Sequence, residues 1–328
     1  MSKERLCVGV DVGKDEVVVA VVGRKAVAFG TRPADLKRLM KWVKAPAESR
    51  GIHIGMEATG VYSSKIALAL CAYPGVTVSV INPAQIKAYG RAVLRRTKTD
   101  RVDAQLICDF VRSQTPAAWT APSAMQQELA ALVTHTDAIR HEMQKWANRR
   151  HAHQHMTHLP AVIATSTAEL VATLTQELAT IEAAITRLCQ SDATLADDMT
   201  IAVSIPGIGQ RSAAQLLAYG GRALTQRTRR QLDAHAGLAP AERQSGTSVR
   251  GKSHIAKAGN ARLRRALYMP TLVAVRYNPI LKRHYDRHLE RGKPKKVALT
   301  ACMRKLLNIL RAMLIARKPF DPAHQPLT

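Results

Sequence analysis

The chain has 328 residues, enough for two domains with their own cores. At 46% hydrophobic and 22% charged it has the composition of a globular protein, not of a disordered one. Its 49 Lys and Arg against 24 Asp and Glu leave a net charge of +25, a field that attracts polyanions, nucleic acid first, and suits a small-molecule kinase poorly.

Near the N-terminus 6–12, 16–22 and 25–30 are β-branched runs separated by short turns, which predicts a three-stranded meander. Segment 33–45 has helical periodicity with Pro33 at a tolerated early position. A strand (52–58), a helix (62–73), a strand (76–82) and a helix (83–94) follow, then a basic linker and a helix from Asp100. Strands that alternate with helices pair in parallel, so the first, fourth and fifth strands form the parallel part of a mixed sheet.

Beyond 120 the pattern is helical. Met125, Leu129, Leu132, Thr136, Ile139, Met143 and Trp146 recur at spacings of four and three, the seam of a long helix. After a break at His158–Pro160, a second helix is expected to start at the capping box Ser166…Glu169. The pair reads as a coiled-coil-like hairpin or dimerisation arm. His151, His153, His155 and His158 at the end of the first helix have no nearby carboxylates and read as a solvated basic surface. The remainder is mainly α-helical, with a loop-like interval at 239–258 and a basic amphipathic helix at 295–316. From Ala196 onward there are 25 Lys/Arg and 7 Asp/Glu, so +18 of the +25 sits there. The expected domains are 1–120, 121–195 and 196–328.

The five cysteines are widely spaced, which argues against a disulfide framework or thiolate zinc site and for a reducing compartment. No signal peptide and no membrane-length apolar run stand out, so the expected location is the cytoplasm, at the nucleoid, with no membrane partner.

Four carboxylates carry the chemistry. Asp11 sits inside the first strand, where an acidic residue is out of place unless it has a task. Glu57 ends the fourth strand, and Asp100 and Asp103 share one helix face. Crowded carboxylates need a cation, and oxygen-only ligation selects Mg²⁺ or Mn²⁺. Asp100 and Asp103 could instead only cap their helix behind Thr99. Two further signals concern nucleic acid. The glycines of Ile205-Pro206-Gly207-Ile208-Gly209 suit a hairpin where backbone N–H groups approach a phosphate, although a plain turn between helices would look alike. Basic residues cluster at Arg95, Arg96 and Lys98, at Arg243, Arg250 and Lys252, and at Lys257, Arg262, Arg264 and Arg265.

DVGKDE, GMEATGVY, INPAQIKAYGRA, RRTKTDRVDAQLI, SIPGIGQRSAAQLLA, AHAGLAP and QSGTSVRGKSHIAKAGNARLRRALYMP resemble, in order and over nearly the whole chain, a family of bacterial insertion-sequence transposases. The resemblance implies an RNase H-like (RuvC-like) N-terminal domain whose acidic set is Asp11, Glu57, Asp100 and Asp103. It implies a C-terminal domain whose nucleophilic serine is Ser245, guidance by a bridge RNA, donor and target DNA as substrates, and a dimer or tetramer. Ser248 and Ser253 are indistinguishable from Ser245 by composition alone, and Glu242 is the only local base. Three rival readings remain: a RuvC-like junction-resolving nuclease that uses water, a nonenzymatic nucleic-acid binder, and an actin-like ATPase or sugar kinase, whose second phosphate loop is not found.

Overall fold

A computed structural model describes residues 5–44, 51–97, 99–241, 244–245, 249–250, 254–256 and 258–322, and at 241, 244, 245, 249, 250 and 254 only the backbone. Lys98, Arg243, Lys252 and Lys257, expected to contact nucleic acid, lie outside the described residues, as do Glu242, Ser248 and Ser253. The chain divides into two compact units, Met1–Ala121 and Pro122–Thr328. Among the described residues no helix is long and apolar enough to cross a membrane.

The first unit runs β1 (Leu6–Val12), β2 (Glu16–Val21), β3 (Val27–Gly30), α1 (Pro33–Lys44), β4 (Ile52–Glu57), α2 (Val61–Cys71), β5 (Val76–Ile81), α3 (Pro83–Ala92) and α4 (Asp100–Gln114). The sheet order is β3-β2-β1-β4-β5, antiparallel through β1–β2–β3 and parallel through β1–β4–β5. Strand periodicity splits its faces. Val8, Val10, Val12, Ile54 and Met56 share a core with Leu36, Leu39 and Met40 of α1 and Ile66 and Leu70 of α2. The opposite face lies under α4. There Gly9, in the middle of β1, is too close to the helix for any side chain: a Cβ would stand 2.1 Å from the Ala104 carbonyl oxygen and 2.3 Å from the Cys108 nitrogen.

The second unit begins with α5 (Ala124–His153) and α6 (Ala161–Ser191), antiparallel and joined by an ion pair between Arg140 and Glu182. The seam of α5 is buried at Leu129, Thr136 and Ile139 and only half-buried at Met143 and Trp146. Helix α6 starts five residues before the expected capping box. Pro160 fixes the entry with φ −56°, and Ser166 lies inside the helix. There follow α7 (Ala193–Val203), α8 (Gln210–Gly220), α9 (Ala223–Gln226), α10 (Arg229–His235), α11 (Ala261–Tyr277), α12 (Pro279–Glu290) and α13 (Lys295–Ala316). The interval expected as a loop carries two short antiparallel ladders: β6 (Pro240–Ala241) with β9 (His254–Ile255), and β7 (Gln244–Ser245) with β8 (Val249–Arg250). Helix α13, expected as a basic amphipathic helix, buries Ala298, Cys302, Met303, Leu306, Leu307, Leu310 and Leu314 and packs on α11 and α12. Leu129 and Val133 of the hairpin belong to the same core as these helices.

Candidate active site and nucleic-acid interface

The site is built from the register of two parallel strands. Gly9 pairs with Gly55 and Val10 with Met56, so the next residues, Asp11 and Glu57, stand side by side at the carboxyl ends of β1 and β4. Neighbours in register face the same side of a sheet, and residues two apart along a strand do as well. Gly9, Asp11, Gly55 and Glu57 therefore share the face that α4 covers. Gly9 is a steric requirement, facing helix backbone, while a Cβ on Gly55 would lie 2.3 Å from the Val111 Cγ2 methyl and would displace side chains of α4. The Cys108 thiol donates to the Cys7 carbonyl at 3.3 Å, holding the helix down.

With Ala104 over Gly9 and Cys108 over Cys7, α4 runs antiparallel to β1, and its first turn reaches the end of the sheet where Asp11 and Glu57 stand. That turn contains Asp100 and Asp103. Thr99 caps it, its hydroxyl accepting from the Val102 N–H at 3.3 Å, while the Asp103 N–H donates to the Thr99 carbonyl at 2.8 Å. Asp11, Glu57 and Asp103 are half-buried and Asp100 is exposed. The four acidic residues thus occupy one end of one sheet. Among the described residues, however, no three His, Cys, Asp or Glu side chains come close enough together to hold a metal ion. Like charges 4 Å apart repel by about 4 kcal/mol near a protein surface, so carboxylates alone do not gather more closely. Gly9 and Gly55 passed unnoticed in the sequence, yet each precedes its carboxylate by two residues (Gly-Val-Asp and Gly-Met-Glu), a visible signal for close backbone approach.

Beside this site Arg95 pairs with Asp109 of α4 at 3.2 Å, which ties down the α3–α4 link, and Arg96 is exposed. At the far end of the sheet the buried His53 bonds the Ser79 hydroxyl at 2.8 Å, and that hydroxyl donates to the Ala117 carbonyl at 2.8 Å. Burial, and then the Arg5 charge, push the His53 pKa down, so the ring is a neutral structural clamp.

In the second unit the Pro-Gly turn joins α7 to α8, with Ile205 and Ile208 buried. Its two glycines differ. Gly207 has φ +108°, and a Cβ there would meet Ala274 of α11 at 2.7 Å, so its backbone packs against protein. Gly209, the N-cap of α8, is exposed and nothing lies within 4 Å of where its Cβ would be. The basic residues of α11 differ too. Arg264 donates to the Ala236 carbonyl at 3.0 Å, and Arg262 donates to the Thr134 hydroxyl at 3.1 Å while lying over the Tyr219 ring. Arg265 is exposed. Asn260 caps this helix through its Oδ1, which accepts from the Arg262 and Leu263 N–H groups, each at 3.1 Å. Ser245 is on β7, its backbone opposite Val249, and Arg250 is on β8; their side chains are not among those described.

Comparison with known proteins finds matches in both units. Residues 8–158 match a transposase family model, the DEDD transposase of IS110 type, and residues 199–286 match the model described as transposase IS116/IS110/IS902 family. A pilin gene-inverting protein of Moraxella bovis is 28% identical over 320 residues, which is 96% of this chain and 97% of that protein. A probable family 20 transposase of Pseudomonas aeruginosa is 29% identical over 275 residues, 76% of this chain and 80% of that one. A protein of insertion element IS110 from Streptomyces coelicolor is 37% identical over 114 residues, 35% of this chain and 28% of its own. With the DEDD-type region ahead of the second matched region, along a chain whose sheet is followed by helices, this protein belongs to the IS110/IS116 family of transposases.

Proposed function

We propose that this transposase cuts and rejoins DNA strands with a divalent-cation site made by Asp11, Glu57, Asp100 and Asp103 and a serine nucleophile, Ser245. The observation that carries the reading is the Gly9–Gly55 pair, which lets α4 lie on the sheet so that its acidic first turn comes to the end where Asp11 and Glu57 stand. The strand order β3-β2-β1-β4-β5 supports an RNase H-like (RuvC-like) assignment. The donor set fits a hard cation, being all carboxylate oxygen with no thiolate or imidazole among the four. Bound there, Mg²⁺ or Mn²⁺ would neutralise the carboxylates and polarise the scissile phosphodiester.

The chain's own groups supply the rest. Attack of the Ser245 hydroxyl on phosphorus forms a phosphoserine ester and breaks the P–O bond to the departing strand. The proton released by the serine ends on the departing hydroxyl, and attack by a hydroxyl of another strand reverses both changes. The Moraxella relative is named for inverting a pilin gene, and inversion likewise breaks and reseals DNA. The exposed cations of the second unit would hold donor and target DNA by their phosphates. A bridge RNA choosing the target and a dimer or tetramer bringing both DNAs together complete the proposal.

The test is a denaturing gel for protein bound covalently to DNA. Wild type with Mg²⁺ should give the adduct; Ser245→Ala and Asp11→Asn should not. An adduct in Ser245→Ala would overturn the serine assignment. Cleavage without any adduct would establish water as nucleophile, the junction-resolvase chemistry. Cleavage unchanged in Asp11→Asn would remove the acidic set from the reaction.

A further inference from the structure

A cavity of about 650 Å³ opens within the second unit among α5, α6, α7 and α8, a size suited to a small organic group. Val133, Ile185, Met199 and Ala214 give it apolar walls, and the exposed residues Thr186, Gln190, Gln210 and Arg211 stand at its rim.

Its electrostatics differ from those of the surrounding unit. Arg211 feels the charges of Arg140, Asp137 and Glu182, two cations and two carboxylates in all. Asp137 accepts from the Gln215 carboxamide and from the Tyr219 hydroxyl, both at 2.6 Å, and Glu182 is paired with Arg140. In a protein of +25 this pocket is charge-balanced and offers a phosphate little. Three threonines of the lining, Thr136, Thr186 and Thr200, donate their hydroxyl hydrogens to their own helices at 2.9, 3.0 and 2.9 Å. Toward an occupant they present lone pairs. Gln190, Gln210 and Arg211 supply donors, and the carboxamides further acceptors. The complementary occupant is neutral, has apolar faces, and carries donors and acceptors on its edge.

We propose that this cavity takes one unpaired nucleobase of the bound nucleic acid, its face against Met199 and Ile185 and its edge toward the rim. The inference rests on the nucleic-acid reading given above and adds to it a site that reads a base instead of the backbone. The shared chemistry is a nucleobase from either DNA or RNA.

The full chain would be titrated with short duplexes carrying one extrahelical base, the same duplexes fully paired, and the same with an abasic bulge, in DNA and in RNA. The base bulge should bind about tenfold more tightly than either control in one of the two series, the range that a single stacked base supplies. Thr186→Trp and Gln190→Trp, which crowd the rim from exposed positions, should cut that preference to about twofold while paired-duplex affinity stays unchanged. Equal affinity for base and abasic bulges, a preference that survives both substitutions, or loss of paired-duplex binding in both variants would overturn the cavity assignment. If wild type binds none of the duplexes, the nucleic-acid reading falls with it; if it binds paired duplex without a base preference, only the cavity assignment falls.

Discussion

The two units hold their working side chains in opposite ways. In the first, carboxylates stand at the ends of buried strands, and a helix is brought close to them over Gly9, where only glycine fits. In the second, the excess cations stand on helix surfaces, and several, such as Arg262 and Arg264, also tie helices together. The contrast matches the two tasks proposed above, holding a cation and attracting nucleic acid. A metal-ligand set must be placed to within about 0.5 Å, which demands rigid elements and close backbones. Attraction for a polyanion acts over about 8 Å at physiological salt and tolerates imprecise placement. Substitutions in the first unit should therefore act through geometry, and those in the second through the field.

The sharpest way to break that comparison uses two glycines. Gly9→Ala must push α4 off the sheet, because its Cβ would overlap the Ala104 carbonyl. The expected cost is about 3 kcal/mol of stability, with loss of strand transfer as the acidic first turn of α4 moves away from Asp11 and Glu57. Gly209→Ala, in open space at the α8 N-cap, should cost less than about 1 kcal/mol. Urea unfolding of both variants decides this. Equal effects would mean that the close approach of α4 is not what sets the first unit's geometry.

How much of this was legible in the sequence depends on whether the cause was local. The β-branched runs and the Thr99 cap are local signals, and every element of the first unit follows the expected order. Asp11 stood out because a strand core seldom holds a carboxylate. Its parallel neighbour Glu57 followed from the alternation of strands and helices. Helix α6 starts earlier than the sequence pattern suggests, because Ser166 and Glu169 imitate a capping box whereas Pro160 already sets the entry angle. The Pro-Gly turn is visible as a motif, whereas the contact of Gly207 with Ala274, on a helix far along the chain, follows from no spacing. The cavity was invisible for the same reason, since four helices contribute its lining.

The second unit has one place where geometry should matter as much as in the first. Asp137 gathers the Gln215 carboxamide and the Tyr219 hydroxyl, joining the hairpin to α8, and the Tyr219 pKa is pushed up to about 12 by burial and then by this carboxylate. Asp137→Ala strands both donors in partly buried positions and should destabilise the protein by about 2 kcal/mol, against about 1 kcal/mol for Tyr219→Phe. Thermal unfolding gives the order. If the two variants cost the same, the carboxylate is not the centre of the junction.

A pH titration should separate the units further. His284 is held down to about 4 by burial first, then by His288, Lys305, Arg287 and Arg304. A histidine depressed in the folded state contributes its full stability above the unfolded value near 6.5 and loses it as pH falls from there toward the folded value. His235 in the second unit and His53 in the first are depressed in the same sense, by burial first. Burial pushes the Asp198 and Asp233 carboxyls up, which slopes the other way. The difference between wild type and His284→Gln therefore isolates the histidine. The variant should lose less stability than wild type between about pH 7 and about pH 5, and identical slopes would show that His284 is not desolvated.

The smallest expected effect tests the field itself. Arg265 is exposed on α11, whereas Arg264 on the same turn donates to the Ala236 carbonyl. Arg265→Ala should leave unfolding unchanged, weaken binding to all DNA sequences alike, and lower the salt dependence of affinity by about one phosphate contact. Arg264→Ala should instead lower stability, because it frees the end of α10 from α11. A salt slope unchanged in Arg265→Ala would take this helix face out of the phosphate-binding surface and leave the attraction to cations elsewhere in the +18 region. A sequence-dependent loss would mean that Arg265 reads bases, and then the division between a geometric first unit and an electrostatic second one would no longer hold at α11.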